Sequence, residues 1–267
     1  MLKDFSKEHY DIIIQAGQSN SEGCGLGKTD SPYVPNDRVW YMNGDFTISC
    51  ACELVNGNEI QSTYVLEFAR LYIEKGYLTN GRKLLILRAS VGGTGFADHH
   101  WGENDDLYLR MIDMIQTALS LNSENKLAAF LWHQGEADAV FNASYNEHYE
   151  NLKRLVSSVK ENFNVPNLPF IAGDFAHQWK KENIEICTPV VNAIRDVCNS
   201  YSSGRFVETD GLLSNVQELN YSIFGGNDTI HFSRKSTYIL GQRYFKAFED
   251  IYNTNSFKFC VENIIYI

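Results

Sequence analysis

The chain has 267 residues, 44% of them hydrophobic and 13% aromatic, enough to bury a sizeable core without covalent staples. A formal charge of −10 with no basic run argues against nucleic acid and anionic membrane surfaces as partners, because either needs a clustered positive patch. No apolar stretch approaches the roughly 18 residues of a membrane span, and six scattered cysteines (Cys24, Cys50, Cys52, Cys187, Cys198 and Cys260) fit a reduced compartment better than a disulfide framework.

The N-terminus is mixed in charge and lacks the apolar segment and small-residue cleavage site of a signal peptide, so a cytoplasmic location is expected. A strand follows over 10–15, and Pro32 and Pro35 mark 30–38 as a surface loop. Residues 61–76 carry Tyr64, Phe68, Leu71 and Ile73 at helical spacing. Further strands are predicted over 83–88 and 127–132. The segment 144–163 repeats Tyr145, Leu152, Val156, Val159 and Phe163 every three or four residues, with Ser144 and Glu147 placed to form a capping box. Strands over 169–173 and 204–208 precede a last helix after Ser233, striped by Leu240, Tyr244, Phe248 and Ile251. The apolar tail 257–267 reads as a strand or a packing segment.

Short apolar runs of this kind are strands buried on both faces. Their alternation with amphipathic helices predicts an α/β chain, one domain over 1–267, with a mostly parallel sheet covered on both sides. Ligands of such sheets bind at the carboxyl ends of the strands, which directs attention to four segments.

The first strand runs into Gly17-Gln18-Ser19-Asn20, where flanking glycines allow a sharp turn that projects a hydroxyl into a cleft. Alone, that serine reads as an ordinary turn residue. Far along the chain stands Asp228-Thr229-Ile230-His231-Phe232, just before the last helix. A neutral serine is a weak nucleophile that needs a base, and the base needs an orienting acceptor. An Asp three residues before a His can supply one. Between these lie Gly92-Gly93-Thr94-Gly95 and Trp132-His133-Gln134-Gly135-Glu136, each after a strand, with amides suited to the negative charge that acyl transfer develops.

In this order the four segments resemble the blocks of the SGNH hydrolases. They are most similar to the branch of sialate O-acetylesterases and the sixth family of carbohydrate esterases, in which Gln-Gly-Glu replaces the Gly-x-Asn-Asp block. The resemblance runs from Asp11 to about Tyr244. It implies a three-layer α/β/α sandwich with a flavodoxin-like sheet. It also implies a serine esterase that removes O-acetyl groups from a carbohydrate, of the acetylxylan or sialic acid type, through an acyl-enzyme and without cofactor or metal. Ser19 would be the nucleophile, His231 the base and Asp228 its orienting group. The Ser19 amide, a Gly93 amide in preference to Gly92, and the Gln134 side chain would form the oxyanion hole. Ser21 and Glu22 depart from the family's apolar residues after the first block and put a carboxylate at the cleft mouth.

Gln18 and Glu136 are further candidates for substrate or orienting contacts. Glu136 either joins or replaces Asp228 beside His231, or else anchors its own loop. Trp101 is the expected sugar-stacking platform, and His177 is expected at the rim. Neither Cys50-x-Cys52 nor the Asp98 to Asp106 stretch with His99 and His100 has convincing metal-ligand spacing. Two other readings stay open: a related lipase or thioesterase for longer acyl chains, and a non-catalytic carbohydrate binder.

Overall fold

The structure is a computed structural model that describes residues 4–219 and 227–264, with side chains described as far as residue 254. Among these, the strands are β1 His9–Gly17, β2 Val39–Met42, β3 Ile48–Cys50, β4 Leu54–Asn56, β5 Glu59–Gln61, β6 Arg82–Arg88, β7 Lys126–His133, β8 Phe170–Gly173 and β9 Gly204–Val207. The helices are α1 Ser19–Glu22, α2 Tyr64–Glu74, α3 Asp106–Ser120, α4 Glu136–Val140, α5 Tyr145–Asn162, α6 His177–Glu182, α7 Ile184–Asn199, α8 Asn215–Leu219 and α9 Arg234–Ile264.

The main sheet runs β3-β2-β6-β1-β7-β8-β9. Every pairing is parallel except that of the edge strand β3 with β2. Strand β1 lies at its centre because its run Tyr10 to Ala16 is buried on both faces, which suits a parallel sheet sandwiched between helices. Strand order reverses there: β2 and β6 follow β1 on one side, while β7, β8 and β9 continue on the other. The carboxyl end of β1 is therefore the switch point where such folds open a crevice.

Two helical layers close the sandwich. On one, α2 packs on α9 through Phe68, Tyr72, Phe245 and Phe248, with ring centroids 5.4–6.3 Å apart. Each such buried ring contributes about 1.5–3 kcal/mol. On the other, Tyr108 of α3 hydrogen-bonds Ser158 of α5, and Tyr145 of α5 donates to Asp196 of α7 at 2.8 Å. Helix α5 starts at the predicted capping box, with Ser144 Oγ accepting from Glu147 N and Glu147 Oε2 accepting from Ser144 N. All five predicted strands and three predicted helices are present, so the mostly parallel α/β sandwich stands. The tail is corrected in part: the backbone from 257 to Ile264 continues α9 rather than forming a strand, and 265–267 lie outside the described residues. No helix among the described residues is long and apolar enough to cross a membrane.

Candidate active site

Strand β1 ends at Gly17 with φ 127°, where a Cβ would stand 2.1 Å from the His133 carbonyl oxygen, so only glycine lets β1 and β7 close up at their carboxyl ends. Gln18 N then donates to that same oxygen at 3.0 Å, and the chain turns at once into α1. Ser19 is the first residue of this single turn. Its amide points out of the helix end without an intrahelical acceptor.

The loop before α9 brings His231 to Ser19. His231 Nε2 lies 2.9 Å from Ser19 Oγ, and His231 Nδ1 lies 2.8 Å from Asp228 Oδ1. The same carboxylate oxygen accepts the His231 backbone N–H at 3.2 Å, while Asp228 Oδ2 accepts the Asn215 side-chain amide at 2.9 Å. Burial works to raise the Asp228 carboxyl, but the ring and charge of His231, with the Asn215 amide, hold it below the ordinary carboxylate range. An ionised Asp228 accepts a hydrogen bond from Nδ1–H, which leaves the Nε2 lone pair facing the serine.

The neighbours of Ser19 in its block are the builders of this geometry. Asn20 donates to Glu136 Oε1 at 2.8 Å and to the Ile230 carbonyl at 2.9 Å, and it accepts Phe232 N at 3.2 Å, which fixes the loop around His231. Gln18 Oε1 accepts Ala137 N at 3.1 Å and Gly135 N at 3.4 Å, tying the first block to the third. Glu136 is fully buried against Asn20, and burial raises its carboxyl above the ordinary range. It reaches the loop around His231 through Asn20, while Asp228 is hydrogen-bonded to the ring nitrogen.

Asn215 is a site residue that sequence reasoning missed. It donates to the Cys24 carbonyl and accepts Leu26 N, each at 2.9 Å, so it pins Asp228 to the chain just after α1. Nothing local in Ser214-Asn215-Val216 announces this. Asn20 lay in plain view inside its block, but its partners are 116 and 210 residues away.

Candidate oxyanion donors divide. Gly92 N is occupied by Glu22 Oε2 at 2.8 Å, which explains in part what that mouth carboxylate does. Gly93, at φ 73°, is exposed on the cleft wall, and no hydrogen bond engages its amide among the described residues. Gln134 is fully buried, and its side-chain amide donates to Asp138 Oδ2 at 2.6 Å and to the Thr94 carbonyl at 3.3 Å. Both amide protons are thereby engaged inside the protein rather than turned toward Ser19.

Trp101 requires correction as a stacking platform. It is wholly buried, donates to Thr94 Oγ1 at 3.0 Å and meets Trp132 edge to face, so it braces the Gly92–Gly95 loop from beneath. The apolar ring exposed at the cleft belongs to Phe141 instead. His177 is half exposed beside Asp210 at the start of α6 and does not line the cleft. His100 pairs with Asp106 at 2.8 Å, and no group of three or more His, Cys, Asp or Glu among the described residues is placed to hold a metal.

The cleft holds about 500 Å³. Ser19, His231, Gly92 and Gly93 line it together with the apolar side chains of Ala137, Val140, Phe141 and Ile230. Beneath lies His133, fully buried and pushed down to about 3 by that burial, hence neutral, with Nδ1 3.0 Å from the Tyr244 hydroxyl. Cys24 also borders the cleft, but burial pushes its thiol up to about 12 and keeps it protonated.

A parallel α/β sandwich with a serine, a histidine and an aspartate in line at its switch point is the frame of an SGNH-type hydrolase. The family of carbohydrate esterases described as "sialic acid-specific acetylesterase" matches residues 9–250, and the chain belongs to it. Among curated proteins, the probable carbohydrate esterase At4g34215 of Arabidopsis thaliana is 28% identical over 93 residues, a match spanning only about a third of either protein (35% of this chain, 34% of that one). Among solved structures, NanS superposes with a TM-score of 0.77 at 18% identity, covering 92% of this chain and 98% of that one. The Arabidopsis thaliana protein gives 0.69 at 20% over 90% and 98%. XAC1771 of Xanthomonas citri, a carbohydrate acetylesterase, gives 0.58 at 14% over 89% and 55%. These structural likenesses establish a shared fold.

Proposed function

We propose that the chain hydrolyses O-acetyl esters of a carbohydrate through an acyl-enzyme on Ser19. The observation that carries this reading is the unbroken line from Ser19 Oγ through His231 to Asp228, at 2.9 and 2.8 Å. His231 Nε2 takes the Ser19 proton as Oγ attacks the acetyl carbon. The resulting oxyanion is met by the Ser19 and Gly93 amides. The tetrahedral intermediate collapses by breaking the bond to the sugar oxygen, which leaves with the proton from His231. Water, deprotonated by the same nitrogen, then attacks the acetyl-serine and releases acetate, restoring Ser19. No step calls for a cofactor.

Family membership supports the carbohydrate as substrate, and the open cleft mouth leaves room for a bulky leaving group. Ser19→Ala is expected to cut acetate release by about 10⁴-fold or more while melting as the native protein does. Turnover within tenfold of the native protein would refute the nucleophile. A native preference for octanoyl over acetyl esters would instead favour a lipase or thioesterase.

A further inference from the structure

Phe141 is 59% exposed and Val140 57%, although both are large apolar residues at the cleft edge. Phe141 lines the cleft, and it also lines a second hollow of about 370 Å³ beside it. That volume lies within the range of small-ligand sites. Around it stand Phe96, Asn142, Glu147, His148 and Asn151, with Asp138 at the back.

The hollow is built from the same loops as the cleft. The Asp138 carboxylate accepts Ala97 N at 2.7 Å and Phe96 N at 3.2 Å from the Gly92–Gly95 side, and Gln134 Nε2 at 2.6 Å from the other. Burial works to raise this carboxyl, but the neighbouring His148 ring and these donors keep it low. His148 is 1% exposed and lines the hollow. Its Nδ1 pairs with Asp138 Oδ2 at 3.3 Å, while its Nε2 has no hydrogen-bond partner among the described residues. A buried ring nitrogen left unsatisfied in this way is costly unless something else completes it.

The lining chooses the chemistry of the guest. It contains two carboxylates, two side-chain amides, two phenyl rings and no lysine or arginine. Two histidines, His99 and His148, complete the polar lining. With two carboxylates and no permanently charged cation the hollow disfavours an anion, whereas sugar hydroxyls find acceptors and donors, and a pyranose face finds Phe141. We infer that this hollow is a subsite for a second, uncharged sugar ring, next to the ring that carries the ester. The inference rests on the reading of the cleft as a carbohydrate esterase site.

Binding separates the two. In a Ser19→Ala background, xylobiose, lactose and chitobiose are titrated calorimetrically, with sialyl-galactose as the charged comparator. At least one neutral disaccharide is expected to bind one to one, and Phe141→Ala and Asn151→Leu are each expected to weaken it about tenfold. Asn151 is exposed, so its variant is expected to melt as the parent does. Failure of all three neutral sugars to bind, unchanged affinity in both variants, or tighter binding of the sialylated sugar would each overturn the subsite. Loss of the esterase reading would show separately, as acetate release that does not depend on Ser19.

Discussion

At the amino end of β1 the buried Asp11 carboxylate receives Arg82 Nε at 2.6 Å and the Tyr72 hydroxyl at 2.9 Å, with Lys126 Nζ 3.6 Å away. Beyond the carboxyl end of the same strand, Asp228 receives a histidine ring whose other nitrogen faces a hydroxyl. Both carboxylates are buried and both are hydrogen-bonded. Asp11 is held among permanent charges that need no further partner. Asp228 instead passes its influence through His231 to an oxygen open to the cleft. The contrast teaches that burial and pairing alone do not mark a functional acid: what matters is whether the chain of partners ends inside the protein or at a surface.

Breaking the second arrangement gives the largest effect. Asp228→Asn is expected to lower kcat for an acetyl ester by about 10³ to 10⁴-fold with little change in melting, because the ring then loses its oriented Nδ1–H and the Nε2 lone pair. Breaking the first acts on stability. Asp11→Ala leaves the Arg82 guanidinium, only 13% exposed, with two backbone carbonyls but no counter-charge, and is expected to cost about 3 kcal/mol in denaturant unfolding, with kcat of the folded fraction unchanged. Equal losses of kcat in the two variants would erase the distinction drawn between the ends.

The smallest expected effect lies between them, at His133. Its folded value of about 3 sits below the ordinary 6.5, so the unfolded chain binds a proton that the native state refuses. The stability that follows from keeping His133 neutral is complete above about pH 6.5 and falls as pH drops toward 3. Between pH 6.5 and 5 the loss should be about 2 kcal/mol. The upward shift of Glu136 acts in the opposite direction, which makes the comparison with His133→Gln the informative one. That variant is expected to show a flatter fall of melting temperature over the same range, and an unchanged slope would assign the pH response elsewhere.

The frame was legible because strands buried on both faces write themselves as continuous apolar runs, as in Ile12-Ile13-Ile14 and Leu84-Leu85-Ile86-Leu87. Helix α5 was legible through its stripe and its capping box. Shorter pieces were not: β2 is four residues between a proline-bearing loop and a hairpin, too brief for any period to emerge. Helices α3 and α7 carry apolar stripes as clear as that of α5, including Met111, Ile115, Ile194 and Val197, although Pro189, a residue that usually breaks a helix, lies within the second. At the site, the sequence pointed to the groups now found in line. It misled about Trp101, whose polar and histidine-rich surroundings suggest an exposed loop while its indole fills space under Thr94. It was silent on Asn215, since a side-chain amide that bridges Asp228 and Cys24 has no local pattern.

Ser19 and His231 meet across 212 residues, and the bonds that hold them in register, from Asn20 to Ile230 and from Asn215 to Cys24, span 210 and 191. A growing chain that has already exposed Ser19 therefore possesses a hydroxyl and nothing to activate it. Loops so long close late, after the sheet has given them somewhere to land. Under the proposed chemistry, a nascent or nicked chain is inert toward esters, and the first turnover reports that the segment before α9 has docked.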